Sequence, residues 1–132
     1  MKNYIRALRL SRWPRSASIV IGAGAYWAIE MGFSIPGWNE IFKVFFAFLL
    51  TWAISTSNYI INEISDAPFD KYHPDKSNRP VASGKVKLWV LGLLFILLST
   101  ISLYAAFVYF NRIFFYSLLS LLAAGFLYNI RP

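Results

Sequence analysis

The chain has no cysteine, a single histidine and only six acidic residues among its 132 positions. The absence of cysteine excludes disulfides and thiolate metal sites, and it leaves the redox compartment open. Charged residues make up 14% of the chain, whereas 58% of the residues are hydrophobic and 19% are aromatic. The mean hydropathy is +0.50. Such a composition excludes an ordinary soluble domain and indicates an integral membrane protein.

Long apolar runs predict an all-α membrane fold with four transmembrane helices. Each run approaches or exceeds the length of about 20 residues that crosses a bilayer as a helix. Pro36-Gly37 predicts a turn after the first run, followed by a short polar link. Asn111 and Arg112 alone separate the last two runs, which predicts a tight helical hairpin. The predicted spans are residues 17–35, 44–66, 88–110 and 113–130.

Residues 1–16 precede these spans and carry five of the chain's cations. Ile5 and Leu8 would share one face of a helix, with basic residues beside them. This pattern predicts an amphipathic segment at the membrane surface. A secretory signal peptide also has a basic start, but no polar mature domain follows here. The remaining residues, 17–132, are predicted to form the membrane domain.

The distribution of cations predicts the orientation. With four spans, all 13 Lys and Arg residues except Lys43 and Arg112 fall on one side of the membrane. The positive-inside rule then places the N-terminus and the loop after the second span in the cytoplasm, in a plasma or inner membrane. Because the cations flank apolar spans, the net charge of +7 requires no nucleic-acid partner.

The chemistry-bearing residues gather where the second span ends. Asn58, Asn62, Asp66 and Asp70 are spaced by four, so on a helix they lie near one another turn after turn. Oxygen ligands of this kind suit Mg²⁺, which usually keeps several waters and is shared with substrate phosphates. Pro68 predicts that the helix ends or kinks near Asp66. The alternative interpretation is a solvated interhelical loop with ordinary surface charges.

Two motifs in this stretch resemble a known family. Residues 62–70, Asn-Glu-Ile-Ser-Asp-Ala-Pro-Phe-Asp, resemble the first aspartate-rich motif of the UbiA-type polyprenyl transferases, N-D-x-x-D-x-x-x-D. Residues 78–84, Asn-Arg-Pro-Val-Ala-Ser-Gly, resemble the N-R-P-[LIV]-x-S-G segment that follows it in that family. Glu63 departs from the pattern because it stands where the family usually has Asp.

The resemblance implies an intramembrane transferase that moves a prenyl group from a polyprenyl diphosphate to an acceptor. It implies Asp66 and Asp70 as catalytic residues, with Asn62 as a third Mg²⁺ ligand. Asn58, Lys76 and Arg79 would then bind the diphosphate. The segment from His73 to Lys76 is similar to the branch that transfers phosphoribose to polyprenyl phosphate. Quinone rings, haem and glycerophosphate remain alternative acceptors.

The resemblance covers a little under half of the family's helices, and the second aspartate-rich motif is absent from this sequence. We therefore expect a fragment, or a chain completed by a second one, and expect the 132-residue chain alone to be inactive. His73 is interpreted as a solvated loop histidine, and Asp75 as a loop charge paired with Lys71 or Lys76. The alternative function is a small non-catalytic four-helix membrane protein, either a scaffold or a transporter subunit.

Overall fold

The computed structural model describes residues 2–30, 32 and 34–130, and every regular element in those residues is helical. Positions 1, 31, 33, 131 and 132 of the predicted segments and spans lie outside the described residues. A 3₁₀ helix, Leu10–Arg15, follows the first α-helix. The α-helices are α1 (Lys2–Ala7), α2 (Ser18–Glu30), α3 (Trp38–Asp70), α4 (Leu88–Tyr109) and α5 (Arg112–Ile130).

Three of these helices are long and apolar enough to cross a membrane: α3, α4 and Arg112–Asn129 of α5. Many large apolar side chains on α4 and α5 are exposed, as expected for helices whose outer faces contact lipid. The prediction of an all-α integral membrane protein is confirmed. A fourth span is not, because α2 has 13 residues, and about 13 residues rise only ~20 Å as a helix.

Helix α3 is longer at both ends than the predicted span 44–66. It begins at Trp38, so the expected polar link forms its first turns, and Glu40 lies there in the favourable field of the helix N-terminus. It also continues through Pro68 to Asp70 rather than ending near Asp66. Pro68 lacks the N–H that would bond to the carbonyl of Ile64 and its ring crowds that carbonyl, but only two residues of α3 follow it. The next turn still closes, since Lys71 N donates to the Ala67 carbonyl at 3.2 Å.

The core is built where α4 and α5 pack against α3. One apolar cluster lies toward the α4–α5 turn and joins all three helices through Leu50, Ile54, Ala105, Ala106 and Leu118. A second cluster lies at the end of α3 near the following loop, and it contains Ala7, Ile60, Val81, Val86 and Leu91. The second cluster therefore fixes both the N-terminal residues and the loop against the helices.

Residues 2–15 form a folded arm over this loop end of the bundle. Ala7 is buried in the second cluster, and the Tyr4 hydroxyl accepts a hydrogen bond from Lys87 N at 3.3 Å. Between α1 and the 3₁₀ helix, Arg9 takes the left-handed backbone conformation, with φ of 48°. This conformation is uncommon for a residue with a side chain, so contacts of the arm must hold it.

Candidate functional site

The last two turns of α3 carry the predicted metal ligands Asn62, Asp66 and Asp70. Asn62 Nδ2 donates a hydrogen bond to Asp66 Oδ2 at 3.0 Å, so the spacing of four places these two side chains in contact. Asp66 is 43% exposed at its side chain, whereas Asp70 is 8% exposed. The group therefore has one carboxylate open to solvent and one largely enclosed.

The loop after α3 folds back so that its cations reach both carboxylates. Arg79 Nη1 lies 2.6 Å from Asp70 Oδ2 and 3.7 Å from Asp66 Oδ2. Lys76 Nζ lies 3.9 Å from Asp70 Oδ1. The buried Val81 anchors the loop in the second apolar cluster. The structure thus brings together Asp66, Asp70, Lys76 and Arg79, all four of which the sequence assigned to one site.

The acidic group contains oxygen donors of the kind that Mg²⁺ prefers. Asn62, Asp66 and Asp70 offer only oxygen donors for a metal, and a single guanidinium nitrogen already contacts both carboxylates. The space between the two acids is therefore occupied by a cation, the Arg79 guanidinium. Within the described part of the chain, no group of three His, Cys, Asp or Glu residues is placed to hold a metal ion. Two carboxylates and an amide would therefore leave several metal positions to water and substrate phosphate, as Mg²⁺ prefers.

Asn58 is engaged elsewhere, although it lies one turn deeper on the same helix. Its Nδ2 donates to the Leu121 carbonyl of α5 at 2.9 Å. A Cβ added at Gly125 of α5 would overlap the Asn58 amide, so the two helices approach closely at this point. The Asn58 Oδ1 atom is buried and has no hydrogen-bond partner among the described residues. Among the described residues, Asn58 thus joins α3 to α5, and it forms no hydrogen bond with Asn62, Asp66 or Asp70.

Glu63 has a different partner from its acidic neighbours. Its Oε2 accepts a hydrogen bond from Arg9 Nη2 at 2.8 Å, and its side chain is only 3% exposed. Glu63 therefore fixes the N-terminal arm to α3. Sequence reasoning missed this pair because 54 positions separate its members. The available signal was the departure of Glu63 from the family pattern, combined with the basic residues of the arm.

A basic pocket of about 540 Å³ opens between the arm, α3 and the loop. Arg9 and Glu63 both line it, and Arg79 forms the side next to the acidic group. The pocket therefore adjoins the predicted metal site without sharing its two aspartates.

The remaining polar residues of the loop lie at the surface. His73 is exposed, and its Nδ1 accepts a hydrogen bond from the backbone N of Asp75 at 3.2 Å. Lys76 approaches Asp70 rather than pairing with Asp75 as the sequence had indicated. His73 and Asp75 thus form a local turn beside the acidic group.

Comparison with known proteins identifies related sequences. The model of the UbiA prenyltransferase family matches residues 9–131, which confirms the resemblance carried by the two motifs. The decaprenyl-phosphate phosphoribosyltransferase of Mycobacterium tuberculosis is 26% identical over 102 residues, covering 77% of this chain and 33% of the relative. The enzyme of the same description from Mycolicibacterium smegmatis is 31% identical over 99 residues, covering 75% of this chain and 30% of the relative. The chain thus spans about a third of the length of these relatives. No solved structure matches.

Proposed function

The chain belongs to the UbiA prenyltransferase family, and we propose that it supplies the diphosphate-binding part of a Mg²⁺-dependent intramembrane transferase. The observation that carries this proposal is the shared contact of Asp66 and Asp70 with Arg79 at one end of an apolar helix bundle. There, carboxylates for a metal and cations for phosphate lie within a few ångströms of one another.

In the proposed complex, Asn62, Asp66 and Asp70 hold Mg²⁺ through their oxygens. The metal would supply positive charge beside the leaving oxygens of a diphosphate. Arg79 and Lys76 would exchange their carboxylate partners for phosphate oxygens, and Arg79 can do so with two parallel hydrogen bonds. These preorganised cations stabilise the negative charge that grows on the diphosphate as the bond to carbon breaks.

The first assignment is prenyl transfer from a polyprenyl diphosphate to an acceptor. Cleavage of the allylic carbon–oxygen bond leaves the diphosphate at the polar end of the site, while the isoprenoid chain remains among apolar helices. The bundle offers such surroundings directly below Asn62, because residues 44–61 of α3 include no charged side chain. In this arrangement Asp66 and Asp70 act as catalytic residues through the metal.

The second candidate is transfer of phosphoribose to a polyprenyl phosphate. It is favoured by the names of the two relatives and by the segment from His73 to Lys76. A phosphoribosyl donor that releases diphosphate would place the same leaving group beside the same residues. The two candidates therefore differ in donor and acceptor, and share the chemistry of the acidic group.

We further propose the orientation that the charge distribution predicts, with the N-terminus and the acidic group on the cytoplasmic side. Mg²⁺ and soluble diphosphates are available on that side. The proposal also takes α2, with the residues around it, as a fourth membrane-embedded helix. Cysteine-accessibility labelling of Ser77→Cys and Asn111→Cys tests the orientation, since the chain has no cysteine of its own.

The central test is Mg²⁺-dependent binding of inorganic diphosphate to the purified chain in nanodiscs. We expect binding that EDTA abolishes and that the double variant Asp66→Asn, Asp70→Asn weakens at least about tenfold, since charge-assisted contacts to the metal are lost. Asp75→Asn is the matched control, because it removes one carboxylate from the exposed part of the same loop. Equal binding by all three proteins would support the non-catalytic scaffold instead.

A transfer assay distinguishes the two candidates. Because the 132-residue chain alone is expected to be inactive, the membranes contain the protein together with a chain that completes its site. They receive either a polyprenyl diphosphate with a panel of acceptors or a phosphoribosyl diphosphate with polyprenyl phosphate. Products are separated by thin-layer chromatography. Formation of phosphoribosylated lipid only would assign the second candidate, whereas prenylated acceptor would assign the first. Either product should disappear in the Asp66→Asn, Asp70→Asn variant.

A further inference from the structure

The basic pocket between the arm and the loop has a charge balance that the proposed metal site does not explain. Five cations line it, four from the N-terminal arm and one from the loop. One carboxylate faces them, that of Glu63. The charged lining residues are Lys2, Arg6, Arg9, Arg12, Glu63 and Arg79.

Two of these cations already have carboxylate partners. Arg9 pairs with Glu63 at 2.8 Å, and Arg79 pairs with Asp70 at 2.6 Å. Among residues 2–30, 32 and 34–130, no ion pair is formed by Lys2, Arg6 or Arg12. The pocket is therefore lined by three exposed cations that have no ion-pair partner among the described residues.

The arrangement is also held in place rather than loosely distributed along a mobile tail. The buried Ala7, the Tyr4 hydroxyl bonded to Lys87 N, and the Arg9–Glu63 pair fix the arm at three points. Lys2, Arg6 and Arg12 are exposed, and like charges around a concave surface raise the positive potential there and attract anions. A pocket of about 540 Å³ has ample room for a phosphate group and its ester oxygen.

We propose that this pocket is a second anion site, which binds a phosphomonoester independently of Mg²⁺. Guanidinium groups match phosphate oxygens through parallel hydrogen bonds, so Arg6 and Arg12 are the expected main contacts. Among the described lining residues no carboxylate is free to hold a metal, because Glu63 is paired with Arg9. The proposal stands whether or not diphosphate binds at Asp66 and Asp70.

The phosphomonoester can come from a lipid headgroup or from a soluble ester, since both present the same group. Apolar Ile5 and Leu10 line the pocket as well, which suits a ligand that enters from the membrane surface. Two binding assays distinguish the two sources. In the first, glycerol 3-phosphate is titrated into the chain in phosphatidylcholine nanodiscs containing EDTA. In the second, phosphatidic acid is titrated into the detergent-solubilised chain and detected by native mass spectrometry.

The test variant is Arg6→Gln, Arg12→Gln, and the matched control is Lys71→Gln, Lys85→Gln. Both pairs are exposed and lie at the loop end of the bundle, and both changes remove two positive charges. The control pair does not line the pocket. We expect the test variant to weaken binding at least about tenfold in one or both assays, because charged hydrogen bonds to the phosphate are lost. The control should change binding by less than about twofold, since exposed charges at a distance are screened by salt.

Equal weakening by the two double variants would overturn the proposal, because it would show general attraction to a basic surface. Absence of binding in both assays would overturn the proposal as well. The thermal stability of each variant is measured alongside, and Lys2→Gln serves as a second pocket variant if Arg6→Gln, Arg12→Gln unfolds. Binding of the phosphomonoester must survive Asp66→Asn, Asp70→Asn, which separates this site from the diphosphate site.

Discussion

The contact between Asn58 and Gly125 gives the sharpest structural prediction. A methyl group at Gly125 would overlap the Asn58 side-chain amide, so Gly125→Ala forces α3 and α5 apart or moves Asn58. Moving Asn58 also breaks its 2.9 Å hydrogen bond to the Leu121 carbonyl. The prediction therefore concerns one well-defined approach between two helices.

The magnitude follows from three terms. Overpacking a tight contact costs about 1–3 kcal/mol. Loss of one hydrogen bond adds about 1 kcal/mol. Replacing glycine by alanine in a helix stabilises the folded state by about 1 kcal/mol, which offsets part of this cost. We expect Gly125→Ala to lower the free energy of unfolding by about 1–3 kcal/mol.

Gly92→Ala is the matched control. Gly92 lies in α4, and a Cβ added there meets nothing within 4 Å. The control should therefore gain about 0.5–1 kcal/mol from helix propensity alone. Reversible unfolding of both variants in mixed SDS and mild-detergent micelles compares them directly. A Gly125→Ala protein as stable as the Gly92→Ala protein would refute the packing argument.

A double-mutant cycle with Asn58→Ala tests whether overlap with the Asn58 side chain causes the loss of stability in Gly125→Ala. If the overlap is responsible, Gly125→Ala should cost less in the Asn58→Ala background, with a coupling of about 0.5–3 kcal/mol. The same variant also separates two roles for Asn58. If Asn58 serves helix packing, Asn58→Ala changes stability and leaves Mg²⁺-dependent diphosphate binding intact. A loss of that binding in a stable Asn58→Ala protein would instead restore the role predicted from the sequence.

Two further variants probe the ends of the same helix. Pro68→Ala restores an N–H that can bond to the Ile64 carbonyl and removes the crowding by the ring, so we expect the free energy of unfolding to rise by about 1–3 kcal/mol. An unchanged or lower melting temperature would contradict this account of the last turn of α3. Glu63→Gln leaves the partly buried Arg9 without its carboxylate, so stability should fall by about 1–3 kcal/mol. The double replacement Arg9→Met, Glu63→Met should recover much of that loss, and failure to do so would contradict an ion-pair origin.

Sequence periodicity and length predicted the long helices well for a physical reason. Within a bilayer every backbone polar group must be satisfied internally, so an apolar run of sufficient length has to be helical. Helices α4 and α5 accordingly differ from the predicted spans 88–110 and 113–130 by one residue or less at each end. The ends of α3 differ more, by six residues at the start and four at the end. Outside the apolar region that constraint is gone, and contacts with the loop decide where the helix stops.

The site was predictable to the extent that its residues are close in sequence. Asn62 and Asp66 meet because they are one helical turn apart, and Arg79 lies only nine positions beyond Asp70. The Arg9–Glu63 pair depends on the arm folding across the bundle, which no local pattern specifies. Arg9 also has a left-handed backbone conformation, which residues with a side chain rarely adopt. The contacts of the arm with the bundle account for this conformation.

Arg79 borders both the acidic group and the basic pocket. Its guanidinium contacts Asp70 and Asp66, while the same side chain lines the basic pocket. A cation that enters between the aspartates must displace Arg79, since like charges that close repel each other strongly. The displaced guanidinium then needs an anionic partner, which the diphosphate at the acidic group supplies. Mg²⁺ and diphosphate should therefore each raise the affinity of the acidic group for the other. Arg79→Ala should strengthen binding of Mg²⁺ alone and weaken binding of Mg²⁺ together with diphosphate, as titration of each ligand would measure.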